Sequence, residues 1–325
     1  MKKKISKAVS RLLFLVALIG TTSTAHALPF NNIVIFGDSL SDTGNLFADA
    51  GVPGAPYYSG QFSNGPVWAS LFAQHFGLEA KASNAGGTNY AYAGATTGPT
   101  GIPSSAPTLL TQEANYLAST GGIADPNALY VVFGGANDLA DALLTSNPSL
   151  IGNGISNVVN IVTSLYGAGA KNLLLVNTPD IGKTPRVATF GSAVQGAGTM
   201  LSNSWNSALD AALTSLGVLP GLDLDLLDLF DLQQTTLADP ASFGFTNMTD
   251  PCFNGVTVCG NPDEYFFWDD FHPGAKAQQL IALATIDVVT GEVPEPSAIL
   301  LLGMGLMAMI VIRRRTHKTT HTDQI

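Results

Sequence analysis

Four short apolar runs punctuate the chain, each closed by turn residues: NIVIFGD at 32–38, ALYVVFGG at 128–135, KNLLLVNTPD at 171–180 and LDLDLLDLF at 222–230. The second and third are rich in Val and Leu with little alternation, as strands buried on both faces should be. Segments with helical spacing lie between and after them, at 66–77, 151–170, 192–217 and 273–290. Strands alternating with helices predict an α/β domain with a mostly parallel sheet covered on both sides. A weaker strand is expected over Ala82–Ala85. The Gly/Pro/Ser/Thr-rich stretch 94–108 reads as a loop that could line a substrate cleft. Ligands of such sheets sit beyond the carboxyl ends of the strands. The first run ends there in the dense polar stretch GDSLSDTGN at 37–45.

The two ends of the chain read differently from its middle. Residues 1–27 have a basic start, an apolar stretch from Leu12 to Ile19 and a small-x-small ending at Ala25-His26-Ala27. That is the layout of a secretory signal peptide, with cleavage expected after Ala27. Near the other end, Ala298 to Ile312 is uncharged and mostly apolar, and Arg313, Arg314 and Arg315 follow. At 1.5 Å per residue this stretch would reach about 22 Å, a short transmembrane helix whose arginines stay on the cytoplasmic side. Preceded by Pro294-Glu295-Pro296, it resembles the PEP-CTERM sorting signal of Gram-negative bacteria. The resemblance implies an exosortase-type processing enzyme as a partner. It also implies delivery to the periplasm, cell surface or extracellular matrix, with the helix as a membrane anchor before processing. Ten residues follow Arg315, more than such tails usually carry.

Between these ends, 28–292 reads as one domain. It holds 5 of the 14 Lys+Arg and 22 of the 24 Asp+Glu, a net charge near −17. A surface this acidic argues against nucleic-acid binding and against anionic lipid. Cys252 and Cys259 are the only cysteines, and in an exported protein two nearby cysteines are expected to pair. No zinc cluster can be assembled from so few Cys and His. Asp223, Asp225 and Asp228 in the fourth run and Asp231 just after it could be imagined around calcium, but an exposed acidic strand and turn is the reading preferred.

A serine hydroxyl needs a base within hydrogen-bond reach to act as a nucleophile. Of five histidines, His26 falls in the leader and His317 and His321 lie beyond the apolar tail. His75 sits in a helical pattern and reads as structural. His272, in FWDDFHPG, remains. Asp269 precedes it by three residues, neighbours in a helical turn, and could hold one imidazole nitrogen while the other faces Ser39. Asp270 is the competitor, at a spacing that usually points elsewhere. Pro273 suits the first position of the last helix. Two stretches could donate to an oxyanion. GGAND at 134–138 places Asn137 at a strand's carboxyl end. NYAYAGA at 89–95 supplies Gly94, whose bare N–H allows close approach. Each alone is equally well explained by turn chemistry.

Taken in order, FGDSLSDTGN, NYAYAGATT, GGAND and FWDDFHPG resemble the four sequence blocks of the GDSL lipase/esterase family, the SGNH hydrolases, across most of 33–280. The extension into SDTGN and the stretch FGFTNMTDPC at 243–252 are similar to its lecithinase-like and plant branches. The resemblance implies a flavodoxin-like α/β/α sandwich. It implies Ser39 as nucleophile, Gly94 and Asn137 as oxyanion donors beside the Ser39 N–H, His272 as base and Asp269 as its orienter. Asp38, Asp42 and Asn45 are expected to hold the turn. The implied activity is an exported ester hydrolase with no cofactor, acting on an ester of a lipid, a glycan or a small molecule. An inactive surface or matrix binding protein and an acyltransferase are the alternatives. GDSLS is not the Gly-x-Ser-x-Gly elbow of α/β-hydrolases, because position 41 is serine.

Overall fold

A computed structural model describes residues 30–102 and 104–291. The predicted leader and the apolar tail lie outside the described residues. Among the described residues no helix is long and apolar enough to cross a membrane.

The strands are β1 (Asn32–Gly37), β2 (Ala128–Phe133), β3 (Asn172–Val176), β4 (Asp223–Leu227), β5 (Asn247–Pro251) and β6 (Tyr265–Phe267). The helices are α1 (Asn45–Ala50), α2 (Trp68–His75), α3 (Leu109–Ser119), α4 (Ala136–Thr145) and α5 (Ser149–Ala168). After them come α6 (Pro185–Ala188), α7 (Ser192–Leu216), α8 (Leu229–Ala238) and α9 (Ala275–Thr290). β1 to β4 form one parallel sheet in the order β1-β2-β3-β4. β5 and β6 form a separate two-stranded ribbon.

The expected strand at Ala82–Ala85 is absent: Ser83–Ala85 is a 3₁₀ turn. The edge beside β1 is taken instead by the chain a few residues later. Ile35 N–H donates to the Thr88 carbonyl (3.1 Å), and Tyr90 and Tyr92 N–H donate to the Ile35 and Gly37 carbonyls (2.8 and 3.0 Å). Counting this irregular fifth member, the spatial order follows the flavodoxin-like 2-1-3-4-5 pattern. The block NYAYAGA therefore enters the sheet as its edge.

Side chains alternate across the sheet with a period of two. Val34, Phe36, Tyr130, Val132, Leu173 and Leu175 face α3, α4, α5 and α7, where Trp205 and Leu209 complete one apolar cluster. Ile33, Ile35, Leu129, Val131, Leu174 and Val176 face α2 and α9, with Trp68, Phe72 and Ile281 in the other. Burial on both faces explains why β2 shows no polar alternation at all. The fold is a three-layer α/β/α sandwich. Its strand order reverses between β1 and β2, and the crevice outside the carboxyl ends at such a reversal is where ligands bind in open α/β sheets. Ser39 follows β1 and Asn137 follows β2.

Candidate active site

The polar run after β1 is a buried scaffold. Asp38, Asp42, Asn45 and Asn89 are each exposed by 1% or less. Unpaired polar groups in that setting would cost about 1–3 kcal/mol each, so their partners explain the sequence. Ser41 and Asp42 N–H both donate to the Asp38 carbonyl at 3.0 Å, closing a turn around Ser39. The Asp42 carboxylate accepts from the N–H groups of Gly44 (2.8 Å), Asn45 (2.6 Å), Leu46 (3.2 Å) and, across the loop, Ala93 (2.9 Å). Asn45 Nδ2 donates to the Asn89 and Ala91 carbonyls, both at 2.8 Å. Asn89 Nδ2 returns a bond to the Ser41 carbonyl at 2.7 Å. The first and second blocks are thus one hydrogen-bonded unit, with the loop of Gly94 tied to the turn of Ser39.

Ser39 and His272, 233 positions apart, meet at the end of that unit. Ser39 Oγ lies 2.8 Å from His272 Nε2. On the other side of the ring, Nδ1 lies 2.8 Å from Asp269 Oδ2 and 3.0 Å from Oδ1. Asp269 Oδ1 also accepts the Phe271 and His272 N–H groups at 2.8 and 2.7 Å. These bonds bend 269–272 into a side-chain-closed turn rather than the expected helical one. Burial alone would raise the Asp269 carboxyl. Its charge interaction with His272 and the hydrogen bonds from His272 and Phe271 outweigh that and hold it well below the usual carboxylate range.

Asp270 points away. It makes a two-toothed ion pair with Arg186 at 2.8 and 3.0 Å, and its carbonyl accepts the Arg186 N–H at 2.7 Å. The last helix begins later than expected. Gly274 is its N-cap, and Pro273 bridges to Phe267 instead of opening the helix. His272 is pinned from both sides. Its carbonyl takes the Trp268 N–H (2.8 Å), and the Phe62 ring packs 4.9 Å from its own.

Of the two expected oxyanion donors, one sits in a loop and the other at the start of a helix. Gly94 is exposed, with a φ of +81° that favours glycine. Asn137 lies in the first turn of α4 and gives one amide hydrogen to the Ala95 carbonyl at 2.8 Å. Its other amide hydrogen has no protein acceptor among the described residues. Gly135 shows why that block carries glycine. Its φ is +120°, and a Cβ there would run into the indole of Trp205. Asp138 fastens the same corner: its carboxylate takes the Thr97 hydroxyl at 2.6 Å and the Thr97 N–H at 3.0 Å. Burial raises the Asp138 carboxyl to about 6 against those bonds. Burial likewise raises Asp38 to about 7; among the described residues its Oδ1 accepts only the Leu40 N–H and its Oδ2 has no partner.

One contact was not legible beforehand. Tyr57, from the Gly/Pro/Ser-rich segment before α2, donates its hydroxyl to Asp269 Oδ2 at 2.7 Å. Cys252 and Cys259 form a disulfide. Of the four aspartates in and just after the fourth run, Asp223, Asp228 and Asp231 are exposed and Asp225 is half-buried. Asp228 caps α8 by accepting the Asp231 N–H at 2.9 Å.

Residues 33–285 match the GDSL-like lipase/acylhydrolase family. The chain belongs to that family. All four blocks that line the corner around Ser39 fall inside the matched span. Residues 292–315 match the PEP-CTERM protein-sorting motif. Among relatives in the family, esterase EstA of Pseudomonas aeruginosa is 29% identical over 343 residues, covering 85% of this chain and 49% of that protein. An acetylesterase of Thermothelomyces thermophilus is 28% identical over 301 residues, covering 85% and 96%. The phosphatidylcholine-sterol acyltransferase of Aeromonas hydrophila is 32% identical over 260 residues, covering 76% and 72%. The chain spans about half the length of EstA, the first of these curated relatives.

Proposed function

We propose that this GDSL-family chain is an exported carboxylic ester hydrolase working through an acyl-enzyme on Ser39. The reading rests on one observation: the unbroken line from Ser39 Oγ through His272 to Asp269, with 2.8 Å on each side of the imidazole. In it, Ser39 Oγ attacks the ester carbonyl carbon while its proton passes to Nε2. Asp269 orients the ring and supports the imidazolium. The carbonyl oxygen becomes an oxyanion, received by the Ser39 and Gly94 N–H groups and the free amide hydrogen of Asn137. The carbon–oxygen bond to the alcohol breaks, and the imidazolium returns its proton to the departing alkoxide. Water then gives a proton to Nε2 and attacks the acyl-enzyme, which releases the acid and restores Ser39. No step calls on a cofactor.

The leader and the PEP-CTERM motif support export from a Gram-negative cell. In this reading an exosortase-type enzyme processes the tail, and the apolar helix over 298–312 anchors the protein until then. The substrate is an ester of a lipid, a glycan or a small molecule met outside the cytoplasm. An acyltransferase is the second reading, favoured by the similarity to the Aeromonas acyltransferase; it differs only in the acceptor of the acyl group. An inactive binding protein would have no use for the alignment around His272.

The test is hydrolysis of p-nitrophenyl esters from acetate to palmitate by the full-length protein and by Ser39→Ala. Turnover by the first and none by the second is expected. Equal rates, or none from a folded wild type, would sink the hydrolase reading. Product partition between water and an added alcohol separates hydrolase from transferase.

A further inference from the structure

Asp269 has four donors, and only three belong to the turn that carries it. Oδ1 receives the Phe271 and His272 N–H groups. Oδ2 is left to share His272 Nδ1 with the Tyr57 hydroxyl. Tyr57 is held for this. Its ring meets those of Phe62 (5.8 Å), Phe253 (5.8 Å) and Trp268 (6.0 Å) edge-to-face. Phe253 stacks on Trp268 at 5.7 Å, and its N–H donates to the Trp268 carbonyl at 2.6 Å. Phe253 is also the neighbour of Cys252, which is bonded to Cys259. Beside this aromatic clamp a surface cleft of about 300 Å³, lined by Tyr57, Phe253, Asn254 and Asp270 among others, reaches Asp269. Without the Tyr57 hydroxyl, Oδ2 would face this cleft with His272 Nδ1 as its one remaining donor among the described residues.

We propose that Tyr57 is a positioning residue of the reaction: its hydroxyl fixes Oδ2 of Asp269 towards His272 Nδ1 and takes the place a cleft water would occupy. The inference rests on the Ser39–His272–Asp269 reading and extends it by a fourth side chain. The charged groups around the phenol are Asp269, Asp270 and Arg186. Asp270 and Arg186 are committed to each other, so Asp269 is the one the hydroxyl serves.

The experiment uses full-length Tyr57→Phe, which keeps the ring contacts and removes only the hydroxyl, and Tyr57→Leu, which removes both. Two readouts are taken: the pH profile of kcat and KM on a soluble p-nitrophenyl ester, and the proton resonance of His272 Nδ1–H. Tyr57→Phe is expected to lower kcat about tenfold with little change in KM, as one lost hydrogen bond to a charged group would. The acid limb of the profile and the Nδ1–H resonance both shift. Tyr57→Leu shows the same limb and resonance changes, together with a lower unfolding midpoint that Tyr57→Phe does not share. A Tyr57→Phe enzyme with kcat within about twofold of wild type and an unmoved acid limb would overturn the proposal. Should the wild type hydrolyse nothing, the Ser39 reading fails. The resonance still decides the contact: a shift upholds the positioning of Asp269, and no shift overturns it.

Discussion

Replacing Asp138 by asparagine tests the electrostatics of the corner between Gly94 and Asn137, because the structure sets the sign of the effect against pH. Burial raises this carboxyl from 3.8 to about 6, more than its Thr97 hydrogen bonds can offset. The folded chain therefore holds a proton that the unfolded chain releases between those values. Asp138's contribution to stability falls as pH rises through that window, by about 3 kcal/mol in all. Asparagine has no such term. It keeps an acceptor for the Thr97 hydroxyl, 2.6 Å away in the native protein, but turns an amide N–H towards the Thr97 N–H. That mismatch costs about 1–3 kcal/mol at any pH. At about pH 4.5 about 1 kcal/mol of the Asp138 contribution has already gone, so the variant is less stable than wild type by at most about 2 kcal/mol, and at about pH 8 the gap closes or reverses. Asp38 does not cancel, because the Asp138 charge is one of the groups that raise its carboxyl; removing that charge lowers Asp38 and adds to the variant's relative gain as pH rises. Urea unfolding of the two proteins across this range gives the gap directly. A deficit that stays constant within about 0.5 kcal/mol from pH 4.5 to 8 would refute the reasoning, since surface-like substitutions behave that way.

Three further outcomes follow from the same geometry. Asp269→Asn should lower kcat by about 10⁴-fold with the fold intact, whereas Asp270→Asn, which loses only a half-exposed ion pair with Arg186, should stay within about threefold; steady-state kinetics of the pair checks the choice between the two aspartates. Because the Asp269 carboxyl is held below its unfolded value of 3.8, it stabilises the fold above that pH and the contribution disappears as pH falls below it; an acid-unfolding titration of wild type against Asp269→Asn should show the variant losing less. Gly135→Ala places a Cβ against Trp205 at a φ of +120°, so a loss of about 2 kcal/mol or more in chemical unfolding is expected, with a drop in kcat because Asn137 follows two residues later.

The sheet was legible because its strands are buried twice over. β2 is apolar at all six positions, ALYVVF, and such a run reads as a strand without knowing its neighbours. The edge beside β1 was misread for the opposite reason. Thr88–Tyr92 is held there by backbone bonds and by Asn45, so its sequence carries no strand periodicity. The helices α1, α3, α4, α6 and α8 also escaped notice: α1 and α4 begin inside the polar blocks, α3 emerges from a loop rich in Gly, Pro and Ser, α6 is a single turn, and the first residues of α8, Leu229 and Phe230, read as the end of the fourth apolar run. Within the site, His272 and Asp269 could be singled out by elimination and spacing, since few histidines and only two aspartates competed, whereas Ser39 stood out by its place after the first strand and by the resemblance. What spacing could not convey is burial. Asp38, Asp42 and Asn45 read equally well as a solvated turn, and it is the bonds with Asn89, Ala91 and Ala93 that make Asp42 and Asn45 interior. Tyr57 was out of reach altogether: it meets Asp269 across 212 positions, from a segment whose composition announces only a loop.

The central claim is that the Ser39 hydroxyl is activated by His272. A fluorophosphonate probe measures this without any guess about substrate, because it reacts with an activated serine and leaves an ordinary one alone. Full-length protein incubated with the probe and mapped by mass spectrometry should carry one adduct, on Ser39, with labelling abolished in Ser39→Ala and slowed severely in His272→Ala. An unlabelled Ser39 in the folded wild type, or labelling that proceeds unchanged without His272, would contradict the account.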